Sequence, residues 1–172
     1  MELMDTILKR RSIRKYPGED ISEETLRQIL QAGLLAPTSR NLKPWEFYVV
    51  KDKDTLRKLS AAKSAGGGML AQCSAAIAVF GDSEKADTWV EDCSIAMSFM
   101  MLMAEEKGVG NCWVQIHFRT DASGKAAEEN VRDILAVPSG FRIVGILALG
   151  IPAEEPKAHA LSDADWGKVH RV

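Results

Sequence analysis

Hydrophobic positions along this chain change period several times, and each change marks an element. Met4, Ile7 and Leu8 recur at helical spacing ahead of a basic run and predict a short amphipathic helix. Ser22 followed by Glu23 and Glu24 reads as an N-cap with an acidic first turn; Leu26, Ile29, Leu30, Gly33 and Leu34 carry the helical period on toward Pro37. Trp45, Phe47 and Val49 then alternate with Glu46, Tyr48 and Val50, the period of a strand. Asp54 is the expected cap of a further short helix carrying Leu56 and Leu59, and the glycines Gly66 to Gly68 break the pattern as a mobile loop. The apolar run 75–80 has the length of a buried strand. A helix is expected over 88–107, apolar on nearly every face between 95 and 104, where Met97, Met100, Met101 and Met103 fall. Residues 112–116 read as a strand, 126–135 as a helix and 141–150 as a strand closing on Ile151-Pro152.

The stretch 153–172 is polar, is interrupted by Pro156 and has no core pattern, so an arm is expected there. With no repeat or linker, 1–172 is expected to form one domain with 153–172 as its C-terminal arm. Strands alternate with helices without a strict β-α beat, which indicates an α+β fold, a small mixed β-sheet flanked by helices. The helix over 95–104 has more apolar surface than one core of this size can cover. Burial against a second copy would resolve that.

Composition removes several function classes. The 172 residues carry a net charge of −2 and only one dense basic cluster, whereas a nucleic-acid binder spreads a basic stripe over a whole face. The apolar part of the central helix falls far short of the roughly 20 residues a membrane span needs. Glu2 and Asp5 stand where a secretory leader would be positive, so a cytoplasmic location is expected. Cys73, Cys93 and Cys112 are odd in number, without a C-x-x-C pair, and sit in apolar contexts; they read as buried thiols. His117, His159 and His170 are scattered, so no metal site is expected, and no nucleophile elbow anchors a catalytic triad. No catalytic side chain is identified.

The chemistry concentrates in 9–15, where Lys9, Arg10, Arg11, Arg14 and Lys15 surround Ser12. Cations near a helix C-terminus complement its dipole, and that accounts for part of the cluster. Guanidinium forks, a hydroxyl and backbone N–H groups freed before Tyr16-Pro17-Gly18 also make a phosphate cradle, and both readings stand at this point. Gly66-Gly67-Gly68 lacks the Gly-Lys-Ser/Thr of a P-loop. Gly108-Val109-Gly110 follows a helix and precedes a strand, the reverse of a Rossmann turn, and reads as a helix C-cap.

Arg10-Arg11-Ser12-Ile13-Arg14 together with Ala36-Pro37-Thr38-Ser39-Arg40-Asn41-Leu42-Lys43-Pro44-Trp45 resembles the nitroreductase family of FMN enzymes. That family opens with Arg-Arg-Ser-x-Arg and carries Ala-Pro-Ser-x-x-Asn-x-Gln-Pro-Trp downstream; Thr38, Ser39 and Lys43 are mild departures. The resemblance continues through the turn and strand Gly108-Val109-Gly110-Asn111-Cys112-Trp113, then Leu135-Ala136-Val137-Pro138 and Leu149-Gly150-Ile151-Pro152, and covers nearly the whole chain. It implies an α+β fold forming an intertwined homodimer, with FMN held at the subunit interface. Carried over residue by residue, Arg10, Arg11 and Ser12 would hold the FMN phosphate and Arg14 would reach toward the pyrimidine edge. Pro37, Thr38, Ser39 and Asn41 would approach the flavin from the other subunit. Trp113, Val114, Gln115 and Ile116 would lie against the ring, and Lys157 and His159 would fall where the family places a Lys-x-Arg pair on the phosphate.

Two departures stand out. Short members of the family read Trp-x-Gly-Ala-Phe where this chain has Trp113-Val114-Gln115-Ile116-His117-Phe118 and a longer connection through 120–125. His159 also replaces an arginine, and imidazole is only partly charged at neutral pH. The resemblance implies an FMN-dependent oxidoreductase using NAD(P)H to reduce nitroaromatic, quinone or similar conjugated small-molecule acceptors. Relatives of the fold also dehalogenate or dehydrogenate, and a non-catalytic flavin-binding protein is the rival outside enzymology.

Overall fold

The computed structural model describes residues 2–172. Its helices are α1 (Leu3–Lys9), α2 (Glu23–Leu34), α3 (Lys53–Ser60), α4 (Trp89–Glu106) and α5 (Ala127–Leu135). Its strands are β1 (Trp45–Val50), β2 (Ala75–Asp82), β3 (Gly110–Gln115) and β4 (Phe141–Gly150), in the sheet order β1-β2-β4-β3. The expected α+β class holds. All three ladders of the sheet are antiparallel, and parallel pairing enters through the isolated bridge between Ser12 and Asn111, beside β3.

The caps explain the helix boundaries. Ser22 accepts from the Thr25 N–H at 3.1 Å and starts α2. The expectation for α3 is corrected: Asp52, not Asp54, is its cap, accepting from both the N–H (2.8 Å) and the hydroxyl (2.7 Å) of Thr55. Asp54 instead lies in the first turn, where its charge faces the positive end of the helix dipole. At the end of α4 the Val109 N–H donates to Ala104 (2.8 Å) and the Gly108 N–H to Glu105 (3.0 Å), with Gly108 at φ +69. That is a Schellman cap, as the Gly-x-Gly reading anticipated. The glycine run 66–68 turns tightly: Gly66 has φ +74, Gly67 abuts the Ser60 carbonyl, and a 3₁₀ turn, Gly68–Ala71, follows.

Alternation in β2 splits the core across the sheet. Ala75, Ile77 and Val79 face α2 and α4, while Ala76, Ala78 and Phe80 face α3, α5 and the 3₁₀ turn. A bulge opposite Val79 and Phe80 makes Val144 the extra residue of β4. Ile143, Ile146 and Ala148 thereby share one face with Phe80, and Val144, Leu147 and Leu149 share the other.

Helix α4 buries Cys93, Ala96, Met97, Met100 and Ala104 against the sheet and α2, each large side chain contributing about 1.5–3 kcal/mol. Met100 is wholly enclosed and packs where Gly33 lacks a side chain. The opposite face of α4 keeps Ile95 and Phe99 37% and 42% exposed, and Leu3, Met4 and Ile7 of the adjoining α1 are exposed as well. Among the described residues no helix is long and apolar enough to cross a membrane. Residues 153–172 are almost wholly exposed and contain two short 3₁₀ turns, Leu161–Asp163 and Trp166–Lys168. The tail is strapped down where the Ala153 N–H donates to Lys15 (2.9 Å) and the His159 N–H to Leu8 (2.8 Å).

Candidate functional site

The basic segment runs along the outer edge of the sheet. Arg10 caps α1, and the Ile13 N–H then donates to the Asn111 carbonyl at 2.9 Å, so 11–13 lies extended beside β3 with Ile13 buried. Side chains alternate in such a segment. Lys9, Arg11 and Ile13 line a cleft of ≈930 Å³ whose other wall is 152–158, with Glu105 and Gly108 to Gly110 at its floor. The Arg11 guanidinium donates to the Lys157 carbonyl, and the Arg14 N–H donates to Glu154 at 2.6 Å. The tail thus lays the Lys157 carbonyl on Arg11, while the His159 N–H bonds Leu8 and its imidazole lies 3.5 Å from the Asp163 carboxylate.

Among the described residues, two buried polar atoms there have no partner: Arg10 Nη1 and Asn111 Oδ1. Burying an unpaired guanidinium nitrogen is costly, and an anion bound against it would satisfy it. Burial pushes the Glu105 carboxyl up, against the opposing pull of Arg10 and Lys9. Glu105 and Glu154 supply part of the negative charge at this cluster, and Arg10 Nη1 still has no partner among the described residues.

From this cluster β3 runs to the far end of α4. It is an edge strand, and because the Asn111 carbonyl points outward to Ile13, alternation turns the N–H groups of Trp113 and Gln115 outward too. The half-buried Trp113 indole donates to the Gln115 side chain at 2.8 Å, and the Gln115 amide donates to the His117 carbonyl at 3.1 Å. Lys63 donates to the Gln115 carbonyl at 2.9 Å, and burial, reinforced by Arg119, pulls the ammonium pKa down. Val114 and Ile116 point into the core instead. The Ile116 and His117 N–H groups share the Val144 carbonyl at the bulge, at 3.4 and 3.1 Å. His117 is buried edge-on to Trp89, centroids 5.2 Å apart, with Nδ1 unpartnered. Burial, and then Arg142, hold its imidazole pKa below the ordinary value, against the pull of Glu128.

The segment 37–41 sits away from the arginine cluster, at the other end of α4. Pro37 follows the buried Ala36, and Thr38, Ser39 and Asn41 belong to a loop seated on the N-terminal turn of α4, where the Ser39 N–H donates to Asp92 at 2.9 Å. Asp92 and Glu105, which mark the two ends, lie roughly 20 Å apart along α4 at about 1.5 Å per residue. Asp92, Lys63 and Asn111 were not among the residues singled out from sequence. An acid in the first turn of a largely apolar helix, four residues after Thr88, is a signal that could have found Asp92. Lys63 meets Gln115 across 52 positions and leaves no such trace.

A family model described as the nitroreductase family matches residues 7–67 and 66–151. An FMN-dependent nitroreductase from Clostridium difficile R20291 is 43% identical, superposes with a TM-score of 0.95, and is matched over 98% of both chains. A protein of Archaeoglobus fulgidus described as an NADH dehydrogenase/NAD(P)H nitroreductase is 34% identical over 99% of this chain and 97% of its own length. A nitroreductase from Desulfovibrio desulfuricans, solved in complex with FMN, is 25% identical with a TM-score of 0.75, over 95% of this chain and 94% of that one. Sequence and fold agree, and the chain belongs to the nitroreductase family.

Proposed function

We propose that this protein is an FMN-dependent oxidoreductase that takes electrons from NAD(P)H and passes them to a nitroaromatic, a quinone or a similar conjugated acceptor. The observation that carries the reading is the buried, unpartnered Arg10 Nη1, next in the chain to Arg11, which lines the cleft to which the tail brings Lys157. A phosphate there completes the hydrogen bonding, and the names of the relatives supply the molecule that bears it. When bound, the flavin supplies two-electron chemistry through N5, which needs no acid, base or nucleophile from the chain.

The chain's own residues bind and orient. Arg10, Arg11, Ser12, Lys157 and His159 hold the phosphate end, and Arg14 places a positive charge toward the pyrimidine edge, where reduction builds negative charge. Trp113 to Ile116 form the wall against the ring, with the outward N–H groups of Trp113 and Gln115 as donors. Pro37, Thr38, Ser39 and Asn41 approach the flavin from a second copy. That copy would cover Ile95, Phe99 and the exposed face of α1, so the protein is a homodimer in this proposal. The three cysteines are buried and unbridged, and burial pushes Cys73 and Cys93 up to about 11 and about 12; such inert thiols suit a reducing cytoplasm.

The test is anaerobic titration of the FMN-loaded protein with NADH and with NADPH, followed by a panel of nitro compounds and quinones. Bleaching by one nicotinamide, return of colour with an acceptor and parallel double-reciprocal lines are expected. Colourless protein after incubation with FMN would remove the proposal, and yellow protein that neither nicotinamide bleaches would make it a flavin binder without this activity.

A further inference from the structure

We propose that Asp92 is a positioning residue for the flavin site, its buried carboxylate holding the loop 38–43 in the shape that presents Ser39 and Asn41. This rests on the reading above that the loop meets a flavin. Asp92 is 2% exposed, and a carboxylate is expensive to bury unless its oxygens are hydrogen-bonded. Here Oδ1 accepts from the Ser39 N–H at 2.9 Å and Oδ2 from the Thr88 hydroxyl at 3.1 Å. Its place in the first turn of α4 adds the positive end of the helix dipole. A residue serving only the helix end would be content with Thr88. The contact to Ser39 spans 53 positions and ties down a loop from another part of the chain.

What is held there is not a relaxed turn. Arg40, Asn41 and Lys43 have φ of 51, 55 and 48, three side-chain-bearing residues in the left-handed region within four positions. Such backbone persists only where its surroundings impose it, and it collects at ligand-binding loops. The other restraints are weaker. Thr38 accepts from the Lys43 N–H at 3.1 Å, Arg40 pairs with Asp87 at 2.6 Å with both side chains exposed, and Lys85 reaches the Lys43 carbonyl at 3.5 Å. Exposed ion pairs hold little. Asp92 is the restraint that water does not compete for.

The test compares Asp92→Ala with Asp92→Asn in the FMN-reconstituted protein. Asparagine can accept from Ser39 and donate to Thr88, so it keeps the clamp without the charge, whereas alanine removes both bonds. Asp92→Ala is expected to weaken FMN binding about tenfold or more, alter the visible circular dichroism of the bound flavin and speed exchange of the Ser39 amide. Asp92→Asn should stay within about threefold of wild type and keep the spectrum. Unchanged affinity and spectrum in a folded Asp92→Ala would overturn the proposal, and so would a lowered melting temperature with the bound-flavin spectrum intact. Should the alanine variant fail to fold, Thr88→Val, which deletes one donor, takes its place with about a threefold to tenfold loss expected, and no loss overturns the proposal. Wild-type protein that binds no FMN would defeat the functional reading instead, leaving Ser39 exchange in the apo protein to decide on the clamp.

Discussion

Replacing Arg10 by alanine should weaken flavin binding while leaving apoprotein stability nearly unchanged, and that split is the sharpest check on the phosphate cradle. In the apoprotein Arg10 Nη1 is buried without a partner, a situation that costs about 1–3 kcal/mol. Alanine removes that cost but also the packing of the side-chain stem and the attraction that restrains Glu105. These oppose one another, so the apo melting temperature should move by no more than a few degrees, at roughly 2–4 °C per kcal/mol for a chain of this size. With FMN bound, the same nitrogen would make a charge-assisted hydrogen bond worth about 1.5–3 kcal/mol, and its loss weakens binding by roughly 10- to 150-fold. Quenching of free-flavin fluorescence gives Kd, and differential scanning fluorimetry without FMN gives the apo stability. Arg10→Lys should recover only part of the affinity, because a point charge replaces the fork. A Kd within twofold of wild type for Arg10→Ala, with Arg11→Ala equally silent, would refute the cradle. A collapse of apo stability with unchanged Kd would show that Arg10 is a structural cap and nothing more.

Phe99→Asp, on the outward face of α4, should yield a folded monomer with reduced FMN retention, seen by sedimentation velocity and flavin absorbance; a variant that stays dimeric would move the interface elsewhere. Met100→Asp should misfold, since Met100 is enclosed within its own chain against Gly33. The lowered pKa of His117 means that the unfolded chain takes up its proton first on acidification. Its contribution to stability is therefore intact above about pH 6.5 and lost as pH falls from there through the folded-state pKa. His117→Gln should flatten that part of the melting-temperature profile, and parallel profiles would count against it. Gly108→Ala, at φ +69 with open space around it, should cost about 1 kcal/mol through backbone strain alone, or roughly 2–4 °C. A loss several times larger would mean that the Schellman cap has a packing role.

The boundaries of most elements were legible because they depend on neighbours in sequence. Ser22 caps α2 with a residue three positions on, and Gly108 ends α4 by the backbone freedom of one residue. The misreading at α3 arose where two such signals lie two residues apart. Asp52 wins over Asp54 because Thr55 offers it both a hydroxyl and an N–H, a choice that only the geometry of the turn makes visible. The proposed site is legible in sequence where it follows a motif, at Arg10 to Arg14 and at Pro37 to Asn41, and leaves no trace where residues meet across the fold, as Lys63 meets Gln115.

Helix α4 shows why the rest was hidden. A helix apolar on nearly every side has no amphipathic stripe to say which side the sheet will take, so Met100 and Phe99 look equivalent in the sequence. The choice is made from outside, by the bare face of α2 at Gly33, which has room for Met100 and turns Phe99 outward. The same docking sets the N-terminal turn of α4 against the loop 38–43, where Asp92 grips the Ser39 N–H. Core packing at one turn of the helix thus fixes the position of a proposed flavin loop two turns away. A small residue larger than glycine at position 33 should consequently disturb flavin binding as well as stability, although it touches neither the loop nor the arginine cluster.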